Sequence, residues 1–517
     1  MNLEAFLHDL QFDIDQANEP NWETDWEAAP LPYKLYRDMP VIPLTGEIPL
    51  TLADGGPAER PDKDRIGHFL WYVYGITQVS HSWEQESSPD GSPLHSYRRF
   101  VPSGGALYPN ELYIYLKIDG LPQGIYHYHA AQHQLVLLRE GDFDQDLAQA
   151  LGNRCDLPSC FGTVFISTRF WKNFFKYNNF AYRLQGLDTG GVIGQLLETS
   201  HRFGFESGVY FQFIDAAVNH LLGLDPQQES VYSVIPLSVE ATNWSTSQSA
   251  VGAEDTTRKI KPIHPGEFDR SPKTKEHPML SAMNEASMME SPSSFQKIKS
   301  RAGIPKEGRT AALPPAGSLA YDLANACRNR FSPGMDFVLG KVSKQQLALL
   351  LQQSFSYRND LDDLPFGSRF PRVQIYGCFH NIDGLADGAY VYDPTERELR
   401  LIEPGDFRLD LQHGLSMDNV NLLQVPICLH IAGSRDFYKN ELGYRGYRVL
   451  QMEAGIMMQK LLLAASAVGL GGHPLLGFDA KASDGLYQLD SRGQTSLIQI
   501  PIGHYRPKPW LRGSLLS

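Results

Sequence analysis

Apolar and polar positions along this chain form helix-period and strand-like runs, and the same order of runs occurs twice. From about Lys63 a pattern of helical period runs through Ile66-Gly67-His68-Phe69-Leu70-Trp71-Tyr72-Val73-Tyr74. Leu112-Tyr113-Ile114-Tyr115-Leu116 reads as a strand, Gly124-Ile125-Tyr126-His127-Tyr128 as part of a hairpin, and Leu135-Val136-Leu137-Leu138 as a further apolar run. Residues 147–151 predict a short helix and 164–167 a buried strand. A long helix starts with 188–197, and 231–237 give a last strand. In the second half, 319–327 and 344–353 predict helices. Ile375-Tyr376 and Gly388-Ala389-Tyr390-Val391-Tyr392 match the earlier strands, 427–431 a buried strand, 447–468 a long helix and 496–500 the closing strand.

The repetition has a fixed offset. Gly120, Gly141 and Asp142 recur as Gly384, Gly405 and Asp406, each 264 positions later. Solenoid units repeat every 20–50 residues or so, so a period this long means duplicated domains. The expected organisation is an arm over 1–60, a first copy over 61–240, a linker over 241–315 and a second copy over 316–517. The arm is polar and Pro-punctuated, with Trp22, Trp26, Tyr33 and Tyr36 as its aromatic stretch. In 241–315 apolar periodicity disappears and Ser, Thr, Pro and charges dominate, which predicts a flexible segment. Hairpins and isolated strands among more numerous helices predict an α+β fold, a mixed sheet wrapped by helices in each copy. No GxGxxG follows a strand, so a Rossmann domain is not expected.

Composition narrows the function. The net charge of −13 argues against nucleic acid or an anionic membrane as the main partner. The five cysteines, at 155, 160, 327, 378 and 428, show no paired CxxC spacing and read as reduced, buried thiols of a cytoplasmic protein. The apolar stretch 454–470 carries Gln459 and Lys460 and is too short to span a bilayer.

The stretch Pro102-Ser103-Gly104-Gly105-Ala106-Leu107-Tyr108-Pro109, followed by Asn110-Glu111-Leu112-Tyr113, resembles the signature of SagB-type dehydrogenases. These are nitroreductase-like flavoenzymes that include the azoline oxidases of thiazole/oxazole peptide biosynthesis. Lys176-Tyr177, Tyr182-Arg183, Asp188 and Gly190 resemble a second block of that family. Gly443-Tyr444-Arg445-Gly446-Tyr447-Arg448, Glu453-Ala454-Gly455, Gly469-Leu470-Gly471-Gly472 and the end at Arg506 resemble its long helix, its Gly-rich exit and its basic terminus.

The resemblance implies FMN at an interface between two nitroreductase-like domains, one supplying an Arg-rich motif for the phosphate and the other a Pro-Ser loop over the ring. The copies have complementary losses. The second keeps Arg328, Arg330 and Ser332, Gly471, Gly472 and Arg506, while its loop is Pro365-Phe366-Gly367-Ser368-Arg369-Phe370-Pro371. The first keeps Pro102, Ser103, Gly104, Gly105 and Leu107 with Lys176 and Tyr177, but only a lone Arg65 in its early helix. One composite FMN site within an intrachain pseudo-dimer is therefore expected, with the other pseudo-symmetric site empty.

By the same resemblance, Lys176 and Tyr177 serve the proton transfer that accompanies hydride removal from a peptide or small-molecule substrate. An ammonium beside a phenol lowers the phenol's pKa, and burial lowers that of a lysine. Arg183 and Arg448 are expected to pair with acids on neighbouring helices, Asp188 and Glu453 being such acids. His127, His129 and His133 invite a metal reading, but the second copy has Val391 and Asp393 opposite the first two, so no metal is expected. Ser103 does not sit in a GxSxG elbow. Met279, Met283, Met288 and Met289 read as a surface segment. The alternatives are an NAD(P)H-dependent nitro or quinone reductase on the same scaffold, and a catalytically inactive flavin-binding scaffold protein.

Overall fold

The computed structural model describes residues 2–53, 55–82, 94–240, 260–298, 308–317, 319–355, 361–364, 372–507 and 511–514. The first half contains α1 (Leu3–Phe12), α2 (Ile14–Ala17), β1 (Val41–Pro43), α3 (Lys63–Tyr74), β2 (Gln78–Ser82), β3 (Leu94–Arg98), β4 (Asn110–Leu116), β5 (Gly124–His129) and β6 (Gln134–Glu140). It continues with α4 (Asp144–Ala150), β7 (Gly162–Arg169), α5 (Trp171–Tyr177), α6 (Ala181–Arg202), β8 (Glu206–Val209), α7 (Asp215–Leu222) and β9 (Glu229–Ser238).

The second half begins with α8 (Pro278–Ala286), β10 (Thr310–Ala312), α9 (Leu323–Asn329), β11 (Phe337–Val338), α10 (Lys344–Ser354) and β12 (Leu361–Asp362). Then come β13 (Gln374–Phe379), β14 (Gly388–Asp393), β15 (Glu398–Pro404), α11 (Arg408–His413), β16 (Ile427–Ser434), α12 (Lys439–Leu442) and α13 (Arg445–Ala467). The chain finishes with β17 (Gly471–Gly472), α14 (Ala480–Tyr487), β18 (Gln494–Tyr505) and β19 (Leu511–Ser514).

The duplication is explicit in the sheets. The first runs β1-β6-β5-β4-β7-β9-β8 and the second β10-β15-β14-β13-β16-β18, with β17 also on β18. These pairings are antiparallel. The first sheet becomes mixed because β12, from the second half, adds to β8 in parallel. Local chemistry sets the helix boundaries. Asp62 caps α3 by accepting from Arg65 N, and Ser343 and Gln346 form a reciprocal capping box on α10.

The two copies meet on their long helices, α6 and α13, which cross through small residues. Tyr182 stacks on Tyr447 at 5.9 Å, and Gln459 Nε2 donates to Gln195 Oε1 at 2.7 Å. Tyr182 and Tyr447 are equivalent positions of the two copies, as are Gly190 and Gly455, whose backbones also meet there, so a pseudo-two-fold axis runs through the crossing. Outlying segments also reach across. β19 pairs with β2, and Gln11 of α1 donates to Ser496 O at 2.7 Å.

Within 241–315 the structure departs from the flexible segment that composition predicts. Residues 241–259 and 299–307 lie outside the described residues. Between them, α8 buries Leu280 and Met283, while Met289 is buried just beyond it. Asn284 Nδ2 donates to Pro226 O at 3.1 Å and Met289 N to Asp215 Oδ2 at 2.8 Å. The methionines are therefore partly core, not surface. A nine-residue helix supplies too few apolar positions to stand out from its Ser- and Pro-rich surroundings. No helix among the described residues is long and apolar enough to cross a membrane.

Candidate functional site

The Pro-Ser stretch forms a tight turn between β3 and β4, with Gly105 and Ala106 exposed at its tip and Pro102 and Leu107 half-buried. Gly105 adopts φ +62, a left-handed conformation that glycine adopts without strain. A Cβ built there would lie 2.5 Å from Tyr177 Oη and 3.1 Å from Lys176 Nζ. The turn and the end of α5 thus form a single surface. Asp188, on α6 beneath it, accepts from Ser103 Oγ at 2.6 Å and from Gly104 N at 3.3 Å, while Ser103 Oγ accepts from Tyr108 N at 2.9 Å. Ser103 is an anchor for the turn.

Electrostatics divides the pair above it. Burial lowers the Lys176 pKa from the ordinary lysine value. Tyr177 moves the other way, up to about 12, because burial and then the Asp188 charge both disfavour phenolate. The lowering expected for the phenol does not occur, since burial and the Asp188 charge act in the same direction. Burial also raises the Asp188 carboxyl to about 7 against the two hydrogen bonds it accepts.

The second copy contributes the opposite wall. Arg330, just past α9, is 5% exposed, and its Nε donates to Phe100 O at 2.8 Å, two residues before Pro102. No carboxylate pairs with it among the described residues. Burial lowers its pKa, with only Tyr108 and Cys327 opposing. A buried guanidinium without an acid is costly to maintain and suits an anionic group. Arg328 is exposed on the last turn of α9, and Ser332 is half-buried. Phe331 O accepts from Gly472 N at 3.2 Å, and the Phe331 ring stacks on Tyr505 at 5.1 Å. A Cβ on Gly471 would lie 2.6 Å from Pro333 Cγ, so only glycine allows that approach. Arg506 N donates to Asp336 O at 2.9 Å, and its side chain is exposed.

Arg328, Arg330, Ser332, Gly471, Gly472 and Arg506 therefore gather around one turn, which the Arg330–Phe100 contact joins to the first copy's loop. The donor set suits a phosphate, and the bare Gly104-Gly105 tip suits a planar ring. The loop 365–371 lies outside the described residues.

Two groups escaped the sequence reading. The main-chain N–H groups of Leu476 and Gly477, between β17 and α14, have no partner among the described residues. A backbone donor carries no side-chain signature, so only the duplication could have pointed to it.

The helix-pairing expectation needs correcting. Arg183 donates to the carbonyl oxygens of Leu10 at 3.0 Å and Leu497 at 2.7 Å, while Asp188 turns to Ser103. Arg448 and Arg445 both pair with Asp215, at 3.2 and 2.7 Å, and Glu453 pairs with Arg372. Arg448 does meet an acid, but neither arginine meets Asp188 or Glu453. The three histidines take separate partners: His127 with Glu111, His129 with Gln132 N and His133 with Tyr128.

The nitroreductase family model matches residues 58–237 and 340–504. A trifolitoxin-processing protein, TfxB of Rhizobium leguminosarum, is 31% identical over 144 residues, 26% of this chain and 38% of that protein. An oxygen-insensitive NAD(P)H nitroreductase of Salmonella typhimurium is 43% identical over 44 residues, 8% of this chain and 20% of that one. The chain thus spans well under half the length of these two relatives. A crystal structure of a nitroreductase-type protein from Anabaena variabilis superposes with a TM-score of 0.73 at 23% identity, covering 98% of this chain and 99% of the other. That likeness establishes the fold across both copies.

Proposed function

The chain belongs to the nitroreductase family, and on that footing we propose that it is an FMN-dependent oxidoreductase of the SagB type, with one composite site per chain. The supporting observation is Arg330, a buried cation of the second copy that has no acid partner among the described residues and touches the backbone just before the first copy's loop. In this reading Arg330, Arg328, Ser332 and Arg506 hold the phosphate. Pro102, Ser103, Gly104, Gly105 and Leu107 cover the ring, with Gly471 and Gly472 lining its other side. Bound there, the flavin supplies a two-electron acceptor for hydride.

The chain's own residues do the rest. Lys176 takes the substrate proton at Nζ, since burial favours its neutral form. Tyr177 stays protonated and donates from Oη to orient the substrate. Asp188 fixes the turn beneath both, and the apolar flanks of α5 exclude water. The likeness to a protein named for trifolitoxin processing supports an azoline or similar ring in a modified peptide, or in a small metabolite, as substrate. The short match to an NAD(P)H nitroreductase supports a second reading, reduction of nitro or quinone compounds.

Flavin released from purified protein tests the cofactor, with a single FMN per chain expected. Parallel assays of azoline-peptide oxidation and of NAD(P)H-driven nitroaromatic reduction separate the two readings. Colourless protein that cannot be reconstituted with FMN would sink both.

A further inference from the structure

The two copies treat the same stretch of chain differently. With the 264-residue offset, which aligns Asn110 at the start of β4 with Gln374 at the start of β13, Arg99 and Phe100 correspond to Asp363 and Leu364. In the first copy no strand formed by this stretch crosses over, and its contact with the other copy is the Phe100 O–Arg330 hydrogen bond. Arg99 sits 4.0 Å from the Tyr74 ring centroid, and β3 pairs with β2. The outer side of β17 is consequently free of any strand from the first copy among the described residues.

In the second copy the stretch crosses over. β12 pairs in parallel with β8, the counterpart of β17, through Leu361↔Gly208 and Asp362↔Val209. Asp363 N then donates to Val209 O at 3.1 Å. The Asp363 carboxylate accepts from Phe211 N at 2.9 Å, from Gln212 N at 3.0 Å and from Arg154 Nη1 at 3.0 Å. At an offset of 265 after the long helices, Phe211 and Gln212 correspond to Leu476 and Gly477, whose N–H groups have no partner among the described residues. Leu364 is fully buried, and its carbonyl accepts from Ile298 N at 3.1 Å. Asp362 is tied to Arg372, which also holds Glu453, the counterpart of Asp188. Among the described residues, the two main-chain donors and the Asp188 counterpart of the pseudo-symmetric pocket are thus all taken by the chain itself.

We propose that the 361–364 segment is a built-in occupant of the second pseudo-symmetric pocket, with the Asp363 carboxylate filling the acceptor position that a bound ligand takes on the open side. The pocket then takes no cofactor, as the sequence comparison expects, because the chain itself fills it. Its loss of cofactor-binding residues then left no unsatisfied backbone behind, because an internal carboxylate satisfies it. The duplicated unit remains as a scaffold for the other site. This rests on the composite-site reading only for the identity of the ligand on the open side.

The test combines flavin stoichiometry with rescue by a small carboxylate. Wild-type protein should release one FMN per chain. Asp363→Ala should keep that flavin and its turnover, melt several degrees lower, and regain part of the loss in 100 mM formate, with chloride as control, by binding linkage. Asp363→Asn keeps an acceptor for only one of the two N–H groups and loses the charge on Arg154, so it should fall between the two and serve if the alanine variant does not fold. Two flavins per wild-type chain, an unchanged melting temperature in Asp363→Ala or Asp363→Asn, or no recovery in formate overturns the proposal. Protein with no flavin at all defeats the cofactor reading alone, and the formate result still decides the role of Asp363.

Discussion

Gly190 and Gly455 touch where the two long helices cross. A Cβ built on either would lie 2.8 Å from Cα of the other, and each would also strike a main-chain carbonyl of the facing helix. The pseudo-dimer is therefore closed by two bare backbones, at a contact that no side-chain rotation can relieve. Gly190→Ala and Gly455→Ala should each lower unfolding free energy by about 3 kcal/mol, the upper end of the overpacking range. Denaturant titration measures it, and a loss below about 1 kcal/mol would show that the crossing is softer than its geometry.

Arg330 and Arg328 are expected to differ. Arg330 is buried and has no acid partner among the described residues, so Arg330→Ala should weaken FMN binding roughly 10- to 100-fold, the worth of a charge-assisted hydrogen bond. Arg328 is exposed, and screening limits Arg328→Ala to about fivefold or less. Fluorescence titration of apoprotein with FMN checks the ranking. Equal effects would place the phosphate elsewhere.

Lys176 and Tyr177 make distinguishable demands on pH. A base at Lys176 must be neutral, so turnover should rise with pH through a pKa below the ordinary lysine value of 10.5. Were Tyr177 the base, the rise would wait for a phenol at about 12. Lys176→Met should cost about 100-fold or more in kcat, and Tyr177→Phe roughly tenfold, both with flavin retained. A pH–rate profile of the wild type and both variants decides between them.

Asp188 links pH to stability with a definite sign. Its carboxyl titrates at about 7 in the folded protein and at 3.8 as a free side chain, so the folded state holds the proton more tightly. Stability at this site is greatest at low pH and declines as pH rises from about 4 to about 7, where the buried group must ionise. Asp188→Asn should remove that decline and gain stability relative to wild type at pH 8. Parallel melting curves from pH 4 to 8 would expose an error, since a constant difference between the two proteins would mean that Asp188 ionises freely.

The duplication, the hairpins and the Ser-Gly-Gly turn were legible because each is local. Turn glycines at fixed spacing, alternating apolar runs and a short motif survive in a linear reading. The first seven residues of α6 were less legible, because Arg183 and Gln185 are buried there with hydrogen-bond partners and break the apolar stripe. α8 was missed for the converse reason, since its few apolar residues gain a core only from segments that pack against it.

The chain's own order of residues determined that there are two related units, that they share an α+β plan, and which half keeps the Pro-Ser loop and which the arginines. Those are properties of single segments, set by periodicity and residue type. Tertiary structure alone decided that Asp188 serves Ser103 instead of Arg183, that Arg330 reaches Phe100 across 230 positions, and that Asp363 occupies the second pocket. Such pairings depend on desolvation and on main-chain donors brought together from distant segments, and neither leaves a mark on the sequence near the residues concerned.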